Sequence, residues 1–195
     1  MNAYIISDEE SAECVLIDPA DEIQSILQYV QENELTPKAI LATHGHLDHI
    51  RFLSTLQNRL QVPVYMGQED MPLLETLAGQ GHMFNLEVAP PPNVDIFLSE
   101  KRTLKIGEQV MHFLHTPGHS PGSYSFLINS HLFAGDVLFK DSIGRTDLYG
   151  GDYTVLIRSI MDKLLTLPDA TALYPGHGPA STIGREKRSN PFLRS

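Results

Sequence analysis

The chain has 195 residues, of which 42% are hydrophobic and 19% charged, and its formal net charge is −10. Those values describe a soluble globular chain with room for a full core, and an acidity of this size argues against tracking of nucleic-acid phosphates. The lone cysteine, Cys14, excludes an internal disulfide. Tyr4-Ile5-Ile6 and Cys14-Val15-Leu16-Ile17 are expected to pair as strands, with Cys14 a small core residue. Ile23, Ile26, Leu27 and Val30 recur at helical spacing and predict a helix from about Asp21 to Glu34. A strand over Lys38–Thr43, a helix over Asp48–Leu60, a strand over Val62–Met66 and a short helix over Met71–Leu77 follow. Residues 79–93 are expected as a loop, because two glycines flank Gln80 and Pro90-Pro91-Pro92 cannot lie in a central strand. Strands are expected at about 94–98, 103–106, 109–115, 123–129 and 131–135. Asp152 is placed to cap a long helix ending before Pro168, then come a short strand at Leu173-Tyr174 and a helix over Ile183–Ser189. This order fits a layered α/β domain with an antiparallel meander in its middle.

Four segments carry the chemistry. The first, His44-x-His46-x-Asp48-His49, places three imidazoles and a carboxylate within six residues, ligand types preferred by borderline-soft divalent metals. The others are Thr116-Pro117-Gly118-His119, Phe133-Ala134-Gly135-Asp136 and Pro175-Gly176-His177-Gly178. His44 and His46, two apart on a turning segment, can point to the same side. Asp48 and His49 enter a helix and point in different directions, so that pair can serve a second ion. Asp136 has two oxygens and can bridge two ions. Five histidines and two aspartates exceed the needs of one tetrahedral ion and indicate a two-metal hydrolytic centre. His82, His112, His115 and His131 lack such contexts and read as structural or surface residues.

These motifs, with Ser120-Pro121-Gly122-Ser123 after His119, resemble the metallo-β-lactamase superfamily of metallohydrolases over nearly the whole chain. The resemblance implies an αββα four-layer sandwich with the metals at one edge of the sheets. It implies that His44, His46 and His119 hold one ion, that Asp48, His49 and His177 hold a second, and that Asp136 bridges them. Two divalent ions are expected, Zn first, with Fe or Mn as alternatives. Within the superfamily the chain looks like glyoxalase II and its short single-domain relatives, on Gly144-Arg145-Thr146-Asp147-Leu148 and Gly150-Gly151-Asp152. That likeness implies hydrolysis of a glutathione-type thioester by a metal-bound hydroxide, with Asp48 as the catalytic carboxylate. Arg145 would grip a substrate carboxylate, or else form an ion pair with Asp141, Asp147 or Asp152.

The chain departs from full-length glyoxalase II in ending about eighteen residues after His177, so residues 1–195 are expected to form one domain without the C-terminal helical domain of that enzyme. The basic tail Gly184 to Phe192 is expected to be a solvated helix end rather than a substitute for that domain. Ile50-Arg51 stands where many relatives place small residues, and would narrow or charge the floor behind the metals. A mononuclear iron persulfide dioxygenase shares these motifs and is the alternative; a non-enzymatic metal-binding module is a third. The expected partner is a small-molecule thioester, with no nucleic acid and no membrane. A cytoplasmic location is expected, since Ser7-Asp8-Glu9-Glu10 interrupts the short apolar start and no apolar run approaches the roughly 20 residues that span a bilayer.

Overall fold

The computed structural model describes residues 1–193. The chain divides into two compact units that interleave in sequence: Ala3–Leu98 with Lys105–Gln109, and Met1–Asn2 with Ser99–Leu104 and the chain from Val110 onward. In the first unit β1 (Tyr4–Ser7) pairs antiparallel with β2 (Glu13–Ile17). Then α1 (Ile23–Glu32) leads to β3 (Thr36–Leu41), α2 (Leu47–Ile50) and α3 (Leu53–Leu60) to β4 (Val64–Met66), and α4 (Met71–Glu75) and α5 (Leu77–Phe84) to β5 (Ile96–Phe97). Each of those three steps joins parallel neighbours, a connection that needs a crossover of helix length. The sheet order is therefore β1-β2-β3-β4-β5. Leu16, Ile40, Val64 and Met66 pack against Ile26, Leu53 and Leu56 of the helices. Val15, Ile17, Ala39 and Leu41 are buried on the opposite face, which is why Cys14–Ile17 of β2 and Ala39–Leu41 of β3 are continuous apolar runs.

The remaining strands are β6 (Thr103–Ile106), β7 (Gln109–His115), β8 (Tyr124–Ile128), β9 (His131–Gly135), β10 (Leu138–Phe139), β11 (Ser142–Ile143), β12 (Ala172–Pro175) and β13 (Ser181–Thr182). They form a six-stranded sheet, β13-β12-β9-β8-β7-β6, and a separate β10-β11 hairpin. The meander expected from sequence is β7-β8-β9, antiparallel throughout. Between β9 and its parallel neighbour β12 runs α6 (Tyr153–Ser159), continued by a π-helical turn, Ile160–Leu164. Asp152 caps α6 by accepting from Val155 N at 2.9 Å. The last helix, α7, spans Ile183–Ser189. Leu132, Ala134 and Leu173 of the sheet meet Leu156, Ile160, Leu164 and Ile183 of the helices, each buried Leu or Ile contributing about 1.5–3 kcal/mol. Cys14 lies in β2, and burial pushes its thiol up to about 11.

Two expectations fail. Residues 79–84 of the expected loop 79–93 are helical, as part of α5. Gly81 earns its place by close approach: a Cβ there would sit 2.9 Å from Val88 Cγ1 and 3.0 Å from the Leu86 carbonyl oxygen. The expected helix over 48–60 is two helices. Phe52 leaves helical geometry, and the Arg51 carbonyl accepts from Ala89 N at 2.8 Å instead of a residue one turn on. Among the described residues, no helix is long and apolar enough to cross a membrane.

Candidate functional site

In the first unit, parallel pairing sets Ile17 opposite Leu41. The residues that follow, Asp18 on one strand and Thr43-His44 on the other, therefore leave the sheet at its carboxyl edge, where open α/β sheets place their ligands. Buried Asp18 accepts from Thr43 N at 2.7 Å, from Thr43 Oγ1 at 2.7 Å and from His49 Nδ1 at 2.9 Å. Because its O–H donates to Asp18, the Thr43 hydroxyl oxygen accepts from His44 Nδ1 at 3.0 Å. A neutral imidazole carries one N–H. His44 and His49 thus hold their protons at Nδ1 and keep Nε2 as a lone-pair donor, the arrangement that orients metal-ligating histidines. The His44 ring centroid is 4.7 Å from that of His46 and 4.1 Å from that of His49. Asp48, half exposed, brings Oδ2 to 3.6 Å from His49 Nε2. Between the first two histidines, Gly45 N donates to buried Asp70 at 2.8 Å.

In the second unit the parallel pair β9-β12 sets Gly135 opposite Pro175, and Gly176 N donates to the Gly135 carbonyl at 2.8 Å. Asp136 and His177 leave that sheet together. His119 lies in a loop braced on all sides: Thr116 N donates to Ser123 O at 2.8 Å, Ser159 Oγ to Pro117 O at 2.7 Å, and Asp152 N to Gly118 O at 2.8 Å. Gly118 has φ +128°, and a Cβ on it would stand 2.3 Å from the backbone nitrogen of Leu156, so only glycine fits. His119 Nδ1 donates to the Arg145 carbonyl at 2.8 Å, which again leaves Nε2 as the donor atom. Nε2 of His119 and Nε2 of His177 stand 3.7 and 3.5 Å from Asp136 Oδ2.

These spacings fit a divalent cation. Nitrogen or oxygen ligands at ~2.0–2.1 Å around one tetrahedral ion are roughly 3.4 Å apart. The nitrogen–oxygen separations of 3.5, 3.6 and 3.7 Å exceed a hydrogen bond and match that geometry. Hydrogen bonds that fix Nδ1 as the protonated nitrogen in His44, His49 and His119 supply the donor atoms in the form a metal requires.

Arg145 is exposed and makes a bidentate pair with Asp147, Nε to Oδ1 at 2.7 Å and Nη2 to Oδ2 at 2.8 Å. That hydrogen bonding holds the Asp147 carboxyl down to about 2. Ile50 is buried among the first unit's helices. Arg51 Nε donates to Asp21 at 2.7 Å, so its charge is matched locally. His115 Nε2 lies 3.0 Å from the Pro121 carbonyl and its ring stacks on Tyr124, while His82, His112 and His131 are exposed. Sequence reasoning missed Asp18, Thr43 and Asn2. Asn2 donates from N to Gly176 O at 2.6 Å and from Nδ2 to Gly178 O at 2.8 Å, pinning the turn that carries His177. Asp18 ends an apolar strand as Asp136 does, but its local sequence does not separate it from an ordinary turn residue.

Comparison with known proteins is consistent with this geometry. The pattern of the metallo-beta-lactamase superfamily matches residues 2–177. The hydroxyacylglutathione hydrolase GloC of Haemophilus influenzae is 41% identical over 203 residues, covering 100% of this chain and 93% of GloC. Among solved structures, BLEG-1 B3 metallo-beta-lactamase superposes with a TM-score of 0.92 at 40% identity, covering 100% of this chain and 94% of that one. TTHA1623 in a di-iron-bound form gives 0.89 at 41% identity, covering 98% and 94%. ETHE1 from Myxococcus xanthus gives 0.80 at 34% identity, covering 97% and 77%.

Proposed function

Since the chain belongs to the metallo-β-lactamase superfamily, a family of metal-binding hydrolases, we propose that it hydrolyses glutathione-type thioesters. The observation that carries this reading is the set of imidazoles whose Nδ1 protons are anchored, which leaves Nε2 of His44, His49 and His119 ready for metal. The substrate class is supported by the likeness to GloC. The proposed ligand sets are His44, His46 and His119 for one ion and Asp48, His49 and His177 for the other, with Asp136 shared. The di-iron form of TTHA1623 supports two ions and keeps iron beside zinc as the candidate metal. Bound cations of this kind supply Lewis acidity, which makes water acidic enough to attack at neutral pH and polarises the carbonyl.

The chain's own residues do the rest. Asp18 and the Arg145 carbonyl hold the imidazoles in one tautomer, so no reorganisation is needed on binding. Asp48 presents a carboxylate oxygen that orients the attacking water. A thiolate is a good leaving group, so the site needs no general acid. Arg145 offers a planar fork that matches a substrate carboxylate, and the incoming carboxylate replaces Asp147 as its partner. A cytoplasmic setting belongs to the same proposal.

The test is thiol release from S-lactoylglutathione by metal-replete protein, with metal content counted by elemental analysis. Two ions per chain and measurable thiol release are expected. Arg145→Ala is expected to raise KM with metal content unchanged. The likeness to ETHE1 motivates one second reading, a mononuclear iron persulfide dioxygenase. Oxygen uptake with glutathione persulfide, one iron per chain and no thiol release would transfer the assignment to it.

A further inference from the structure

Each cation of the basic run Arg185 to Arg188 is paired with a carboxylate of the protein. Arg185 donates from Nη1 and Nη2 to the two Asp141 oxygens, each at 2.8 Å, and from Nη1 to Glu186 at 2.7 Å. Lys187 donates to Asp169 at 2.8 Å and to the Leu167 carbonyl at 3.0 Å, and Arg188 reaches Asp169 at 3.3 Å. At the centre lies Glu186, fully buried. It accepts from Asp141 N at 2.9 Å, from Asn190 Nδ2 at 3.0 Å, from Arg185 and from the Ser181 hydroxyl. Buried Asn190 also donates to the Ser142 carbonyl at 3.0 Å and the Phe139 carbonyl at 3.3 Å.

Four of these groups, Phe139 O, Asp141 N, the Asp141 carboxylate and Ser142 O, belong to one object, the β10-β11 hairpin and its turn. Asp141 sits in that turn at φ +60°, the left-handed conformation that two-residue hairpin turns call for and that Asp tolerates. The three ligand-type residues Asp136, His119 and His177 are each linked to this hairpin, by chain continuity, by a hydrogen bond just beyond it or by a ring contact. Its first strand begins two residues after Asp136. Its second leads through Gly144, whose N donates to Val137 O at 3.2 Å, to the Arg145 carbonyl that receives His119 Nδ1. The Phe139 ring stands edge-on to His177, with centroids 6.4 Å apart.

We propose that Glu186 and Asn190 of the C-terminal segment are positioning residues, which clamp the β10-β11 hairpin from behind and so set His119, Asp136 and His177 for metal binding. The clamp rests on the metal reading of those three residues and adds a function for the tail. A buried charge is costly unless it is paired and hydrogen-bonded, and Glu186 meets that need through Arg185, Ser181, Asn190 and the hairpin's Asp141 N. The groups held on the hairpin are Asp141 N and the Phe139 and Ser142 carbonyls, and the hairpin's own ladder is only two residue pairs long. A loss of the clamp acts on the metal as loss of an outer-shell partner does, about 10- to 100-fold in affinity.

Full-length Asn190→Ala, Glu186→Gln and Lys187→Ala proteins separate the clamp from general stability. Lys187 anchors the same helix to Asp169 and Leu167 without touching the hairpin. Two readouts are taken: Zn2+ affinity by chelator competition, and the His119 ring N–H signal of the metal-free protein in a 1H–15N NMR spectrum. Asn190→Ala is expected to weaken Zn2+ binding about 10-fold or more and to shift or broaden the His119 Nδ1–H signal, with Glu186→Gln acting in the same direction. Lys187→Ala is expected to lower Tm with both readouts unchanged. If Asn190→Ala and Glu186→Gln lose stability but keep wild-type zinc affinity, or if Lys187→Ala weakens zinc as much as they do, the clamp is wrong. Neither readout uses a thioester, so silence in the hydrolase assay with zinc bound would sink the substrate assignment and leave the clamp standing.

Discussion

Asp18 shows how a single carboxylate governs a site it does not enter. Its Oδ2 accepts hydrogen bonds from the Thr43 hydroxyl and from His49 Nδ1–H, and this is what leaves the His49 Nε2 lone pair available. Asp18→Asn keeps the shape and can keep the bond from Thr43 N. The amide nitrogen then stands where an acceptor is required. It donates toward His49 Nδ1, and His49 must move its proton to Nε2, the nitrogen meant for metal. The substitution is expected to leave the fold intact, cost about 1–3 kcal/mol for a mismatched buried bond, and weaken metal binding about 10- to 100-fold. The His49 tautomer can be read from ring nitrogen shifts by NMR, and a variant whose Nδ1 stays protonated would disprove the tautomer argument. In the sequence Asp18 is one acidic residue after a strand, indistinguishable from a turn residue, because its partner His49 lies 31 positions away.

At the scale of elements, the sequence made legible what local patterning dictates. The β7-β8-β9 meander, the Asp152 cap and α7 all follow from period, turn residues and capping chemistry. The glycines around Gln80 misled, since glycine disfavours helix in isolation and only the neighbours reveal why α5 forms there. Gly79 and Gly81 make opposite cases in the same helix. A Cβ on Gly79 meets nothing within 4 Å, whereas one on Gly81 meets Val88 and the Leu86 backbone. Gly79→Ala is expected to stabilise by about 0.5–1 kcal/mol through helix propensity. Gly81→Ala is expected to destabilise by about 1 kcal/mol, because the overpacking cost exceeds that gain. Urea midpoints of the two variants decide it: if both shift upward together, α5 does not pack on residues 86–88 as described. The ligand motifs were legible for a related reason, being short and local. The β10-β11 hairpin was not, because its strands are two residues long and the side chains that bond its backbone, Glu186 and Asn190, lie far along the chain.

On the scale of the whole molecule the question is what a net charge of −10 does. The sequence offers one basic run as a possible counterweight, and its three cations, Arg185, Lys187 and Arg188, are each matched to Asp141, Glu186 or Asp169 within the protein. Neutralising a nucleic-acid phosphate with any of them requires breaking an internal ion pair first. Long-range attraction is also of the wrong sign, since the summed field of an acidic protein repels a polyanion over the Debye length, about 10 Å at 0.1 M salt. Small anionic substrates feel the same field, but a substrate that fits one site needs only one locally favourable group, and in the proposed function Arg145 would be that group once Asp147 is displaced. The molecule is therefore expected to discriminate by size among anions, accepting a carboxylate-bearing thioester and rejecting RNA or DNA. Fluorescence anisotropy with a labelled RNA at ~0.1 M salt is expected to show no binding. Tight binding that weakens steeply as salt rises would mean that the paired cations do open to phosphate, and would return the C-terminal run to the role of a contact surface.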